Sequence, residues 1–196
     1  MNTMFDKVNR EECLKKYKNF PTTNNFGEGA FFPPIHKMYF LSVAKAPKTR
    51  YIRKMSVAAA GLIRELGYGT LIFIGDGKSP WLHRYQKSAG ISKSIDGAIQ
   101  YFITNKLGKR FNGALKVNTS ELSEFVRHTY WLTSPNAALP IFHFMDEGGN
   151  ILGSICQYGI IHFYTLNRVT DDLFNKIVNG RPTFLLSAEC RTPYGK

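Results

Sequence analysis

The stretch from Tyr51 to Ile74 constrains the fold more than any other. At 100° per residue Tyr51, Ile52, Met55, Ala58, Ala59, Leu62, Ile63 and Leu66 share one side of a helix. Gly67-Tyr68-Gly69 then supplies the residue type that ends helices in the left-handed conformation, and Thr70 to Ile74 (TLIFI) follows as a buried strand. The apolar side of this helix packs inward.

The flanking segments extend this unit. Residues 4 to 18 carry Phe5, Val8, Leu14 and Tyr17 among mixed charges and read as a short helix, and residues 21 to 34 (PTTNNFGEGAFFPP) as a loop or surface arm. Lys37 to Val43 has strand composition. Beyond Ile74, Ser79 and Pro80 are placed to start a helix, Ile95, Ala98, Ile99, Phe102 and Ile103 define another, and Asn118 with Glu121 caps a third that carries Leu122, Phe125 and Val126. Leu139 to Met145 and Ile151 to Thr165 form a hairpin about Asp146–Asn150. Asp171 and Asp172 open the last helix, and Thr183 to Ala188 is the final strand. The 196 residues suit a single domain. The order predicts an α+β fold with a mainly antiparallel sheet and helices packed on it. Taking 80–136 as a mainly helical insertion leaves a ferredoxin-like βαββαβ plan.

Charge is divided unevenly. The chain has 26 Lys and Arg against 14 Asp and Glu. Residues 37 to 116 hold 15 of the basic residues and only three acids, Glu65, Asp76 and Asp96, so they carry the whole excess of +12. Such a region attracts polyanions, and the expected partner is nucleic acid, DNA or RNA. Arg50, Arg53, Lys54 and Arg64 converge on the helix side opposite the apolar stripe. Lys78, Arg84, Lys87, Lys106, Lys109 and Arg110 extend the set, and all ten are expected to contact phosphates. The turn Gly75-Asp76-Gly77-Lys78-Ser79-Pro80 is not a P-loop, because Ile72 stands where the first glycine belongs, and Pro80 likewise breaks a dinucleotide fingerprint.

In the hairpin, pairing Asp146 with Ile151 sets Phe142 opposite Ile155 and puts Phe144, Ile161 and Phe163 on the core side. The other side carries His143, Ser154, Cys156, Tyr158, Ile160, His162 and Tyr164. If that side is open, Tyr158, His162 and Tyr164 are candidates to stack on unpaired bases; a covering layer, the commoner use of such strands, removes them. His143 and His162 are the acid–base candidates for an enzyme acting on a phosphate-containing substrate or nucleic acid. A straight second arm, however, holds them about 26 Å apart unless it folds back at Gly159. No His or Cys spacing suggests a metal; Cys13, Cys156 and Cys190 are far apart, and neither metal nor cofactor is expected. Asp146 and Glu147 read as turn formers. A third reading is an inhibitor or adaptor that binds an acidic protein. With no long apolar run and no secretory leader pattern, the expected location is cytoplasmic.

Overall fold

The computed structural model describes residues 4–21, 31–75, 79–82, 93–133, 142–180, 183–187 and 189–190. Its elements run β1 (Asp6–Val8), α1 (Arg10–Lys16), β2 (Lys37–Ser42), α2 (Lys48–Glu65), β3 (Thr70–Gly75), α3 (Lys93–Thr104), β4 (Ala114–Asn118), α4 (Leu122–Thr133), β5 (Phe142–Asp146), β6 (Ile151–Ile155), β7 (Ile161–Thr165), α5 (Arg168–Gly180) and β8 (Leu185–Ser187). The eight strands form one sheet in the order β1-β4-β3-β5-β6-β7-β2-β8, with every neighbouring pair antiparallel. This is an α+β fold. Because β3, β5, β6, β7 and β2 alternate in direction, β2 and β3 run parallel and are joined through α2, with a three-stranded meander between them. A ferredoxin-like sheet has one strand in that place.

The α2 expectation holds in detail. The helix ends on Leu66, and Gly67 takes φ +82°. The Gly67 amide donates to Arg64 O and the Tyr68 amide to Ile63 O, the paired bonds that satisfy the last carbonyls when a glycine takes the left-handed turn. The hairpin register also holds, with Phe142 opposite Ile155 and His143 opposite Ser154. Asp146 organises its turn: Oδ1 accepts from the Asn150 and Ile151 amides, and Oδ2 from the Gly148 amide and the Asn150 side chain.

Four expectations need correction. The first predicted helix is a strand followed by a helix. Asp6–Val8 pairs with β4, and the Asn9 side chain accepts from the Glu11 and Glu12 amides to start α1 only at Arg10. The region 80–136, expected as a mainly helical insertion outside the sheet plan, contributes a strand as well as α3 and α4, since Ala114–Asn118 joins the sheet between β1 and β3. No helix begins at Pro80 within the described residues: Trp81 and Leu82 lie in a turn, where the Trp81 ring stacks on Phe142 at 4.3 Å and its indole N–H donates to Gly113 O. The long second arm of the hairpin folds back, because Gly159 takes φ +87° and separates β6 from β7. Most of the expected arm at 21–34 lies outside the described residues.

The alternation of each strand divides the sheet into two faces. Leu71, Phe73, Leu115, Val117, Phe142, Phe144, Ile155, Ile161 and Phe163 point into a core closed by α2, α3, α4 and α5. Ile72, Ile74, Ala114, Met145, Leu152 and Tyr164 point the other way, against Cys13 of α1, Tyr17 and Phe20. At the far end of the helical layer Asp171 of α5 is buried and accepts hydrogen bonds from Tyr39 (2.6 Å) and Thr165 (2.9 Å). Burial acts to raise this carboxyl. Those two donors, with Lys37 and His36 nearby, outweigh it and hold the group below its ordinary range.

Candidate functional site

The helical layer leaves an open cleft of about 570 Å³ where the first turns of α2 and α3 meet the second half of α4. Pro47, Thr49, Arg50 and Arg53 line one side, Ser94 and Gly97 another, and Arg127, His128 and Trp131 the third. Helix packing brings these together: the apolar stripe of α2 lies inward, so Arg50 and Arg53 on the opposite arc are exposed. No acid stands in the first turn of α2, and its N-cap, Pro47, contributes no side-chain hydrogen bond. Amide groups in the first turn of a helix carry partial positive charge, which here adds to that of three guanidinium groups.

The acid at this site is Glu124, which pairs with Arg127 and with His128 Nε2 at 2.9 Å. The His128 ring stacks on Tyr101 at 4.1 Å. Burial lowers its pKa, only partly offset by the Glu124 hydrogen bond, and so favours the neutral ring. Trp131 is partly exposed beneath Lys48, whose ammonium lies 5.3 Å from the ring centroid.

Of the ten basic residues expected to meet phosphates, Arg50 and Arg53 line this cleft and Lys54 is exposed beside them. Arg64 shares their helix stripe but lies about 16 Å farther along α2. Lys106, Lys109 and Arg110 are exposed on the connection from α3 to β4, at the end of α3 away from the cleft. Lys78, Arg84 and Lys87 lie outside the described residues. Sequence reasoning missed Arg127, His128 and Trp131, since they belong to the charge-balanced remainder. Their signal was spacing, because i, i+1 and i+4 fall within one arc of an amphipathic helix.

The opposite face of the sheet corrects the reading of the histidines. With β6 and β7 separated, Ser154 stands between His143 on β5 and His162 on β7 in one cross-strand row. Two strand spacings, about 10 Å, replace the 26 Å expected of a straight arm. The stacking candidates are divided by their surroundings. Tyr158 is exposed, but Tyr164 is buried with Phe32 at its edge, and His162 meets Phe40 edge-on at 4.9 Å. α2 lies on the other side of the sheet, so these rings and the basic helix do not form a shared platform.

His162 Nε2 lies 3.1 Å from Cys190 Sγ, which in turn lies 3.2 Å from Cys156 Sγ. Sequence spacing gave no hint of this grouping, because its members come from the β6–β7 turn, from β7 and from the segment after β8. Burial first, then the hydrogen bond to and charge of Cys156, pushes the Cys190 thiol up to about 12, and burial lowers the His162 pKa. A nucleophilic thiolate–imidazolium pair has the reverse pattern. Both shifts favour the neutral forms of Cys190 and His162.

Compared with known proteins, the chain matches no family model, no curated protein and no solved structure. Among the described residues, no helix is long and apolar enough to cross a membrane.

Proposed function

We propose that the protein binds nucleic acid, with backbone phosphates entering the cleft between α2, α3 and α4. The observation that carries this reading is the convergence of Arg50, Arg53 and Arg127 with Trp131 in one open cleft. Arginine is suited to phosphate because its planar fork gives paired hydrogen bonds. Trp131 adds an aromatic surface on which an unpaired base can stack. The confinement of the excess charge to residues 37–116 supports the same reading, since counterion release at a phosphate backbone rewards clustered cations.

The test is affinity for labelled single-stranded and double-stranded DNA and RNA over a salt series. Arg50→Glu with Arg53→Glu is expected to weaken binding and flatten the salt dependence by about one unit per lost contact. Trp131→Ala is expected to weaken single-strand binding more than duplex binding. Equal binding by the Arg50/Arg53 variant and the unaltered chain would falsify the assignment of the cleft. Absence of binding by the unaltered chain at physiological salt would remove the nucleic-acid reading itself.

A further inference from the structure

We propose that Cys156, His162 and Cys190 form a zinc site with two thiolates, one imidazole and an open fourth position. Their donor atoms all lie within 4.8 Å of one another, and among the described residues no other group of three or more His, Cys, Asp and Glu side chains converges in this way. In a tetrahedral site with Zn–S near 2.3 Å and Zn–N near 2.0–2.1 Å, donor atoms stand roughly 3.5–3.8 Å apart. The Cys156–Cys190 and His162–Cys190 edges, 3.2 Å and 3.1 Å, need to open by about half an ångström to admit the ion.

The fold holds each donor from a different direction. Cys156 opens a tight turn in which its own amide donates to Ile160 O and the Gly159 amide to Cys156 O. The Tyr158 amide donates to Cys156 Sγ at 3.4 Å, which fixes the thiol within its turn. His162 is set by the β7 ladder and by Phe40. Cys190 returns to His162 because β8 pairs with β2, and β2 with β7. All three side chains are partly buried. Two sulfurs and an imidazole are a soft donor set that suits zinc and disfavours magnesium or calcium.

Binding releases the two thiol protons to solvent and leaves zinc held by two thiolates and neutral imidazole, with water as the fourth ligand. The alternative use of the same cysteines is a disulfide, which requires Sγ atoms near 2.05 Å.

The full chain, kept reduced and stripped with a chelator, is to be titrated with Co(II) and then Zn(II). The expected result is one equivalent of cobalt with thiolate-to-cobalt charge-transfer absorption and the intense visible bands of a tetrahedral ion, displaced by zinc with release of protons. Cys156→Ser and Cys190→Ser are each expected to lose part of the charge-transfer absorption and on the order of a hundredfold or more in affinity. His162→Ala should alter the visible bands while keeping the charge-transfer absorption. Absence of that absorption in the unaltered chain, with its thiols shown to be reduced, overturns the proposal without depending on whether a variant folds. So does absorption that survives in the Cys156→Ser/Cys190→Ser double variant, or a Cys156–Cys190 disulfide that persists under reductant.

Discussion

On one face of the sheet four helices bury Phe73, Phe142 and Phe163 to 1% exposure or less, whereas the other face has α1 over its β4-to-β6 half and leaves Phe40, His162 and Cys190 partly open. The covered face uses large rings in mutual contact. Phe125 alone meets Phe5, Phe73, Trp81 and Phe102. The less covered face places imidazole, thiol and hydroxyl groups in neighbouring strands, where partial access to water keeps their burial affordable. Large apolar rings and the imidazole and thiol groups thus lie on different sides of one sheet, and the cationic cleft occupies a third place, the outer surface of the helical layer.

That division is most sharply tested at Phe125. Phe125→Ala removes a fully buried ring from four aromatic contacts and is expected to cost about 3–5 kcal/mol in urea denaturation. Phe40→Ala on the other face should cost less than about 2 kcal/mol, because its ring is already partly exposed. Equal losses at the two positions would break the comparison.

A smaller effect is expected at Gly153, where an added Cβ would lie 2.1 Å from Phe144 Cζ. Since Phe144 is itself buried, Gly153→Ala must displace a packed ring, costing about 1–3 kcal/mol. Tyr39→Phe should cost about 1–2 kcal/mol at neutral pH by leaving the buried Asp171 carboxylate one donor short. Because the folded-state pKa of Asp171 lies below its unfolded value, its contribution is fully present above the ordinary carboxylate range. It is lost as pH falls through that range towards the folded value, so the difference between Tyr39→Phe and the unaltered chain should shrink below about pH 4. A difference that grows in acid contradicts the hydrogen-bond account. The smallest change in stability belongs to Arg53→Glu, within about 0.5 kcal/mol, because the side chain is exposed; its effect should appear in nucleic-acid affinity instead.

Elements whose signals are local were legible in the sequence. The 3.6-residue stripe of α2 and its Gly67 stop, the TLIFI strand, and the hairpin register set by Asp146 all follow from side-chain periodicity and turn chemistry within a few residues. β1 and β4 were not legible: the three residues of β1 are too few to show alternation, and β4 lacks a two-arm hairpin turn such as Asp146–Asn150 that announced β5 and β6, so they exist through the pairing of β4 with β1 and β3. The break between β6 and β7 turned on one glycine, whose left-handed conformation is permitted by sequence and required only by the ladder on either side.

The candidate sites divide along the same line. Residues 37–116 determined by composition alone that the protein carries a concentrated positive charge, and the helix wheel determined that Arg50 and Arg53 face outward. Only the tertiary structure decided that Arg127 and Trp131 join them, since α4 reaches α2 by packing across the sheet. It likewise decided that His162 meets Cys190, 28 residues away. Sequence distance is not spatial distance once β7, β2 and β8 lie side by side, because neighbouring strands sit about 4.8 Å apart whatever length of chain connects them.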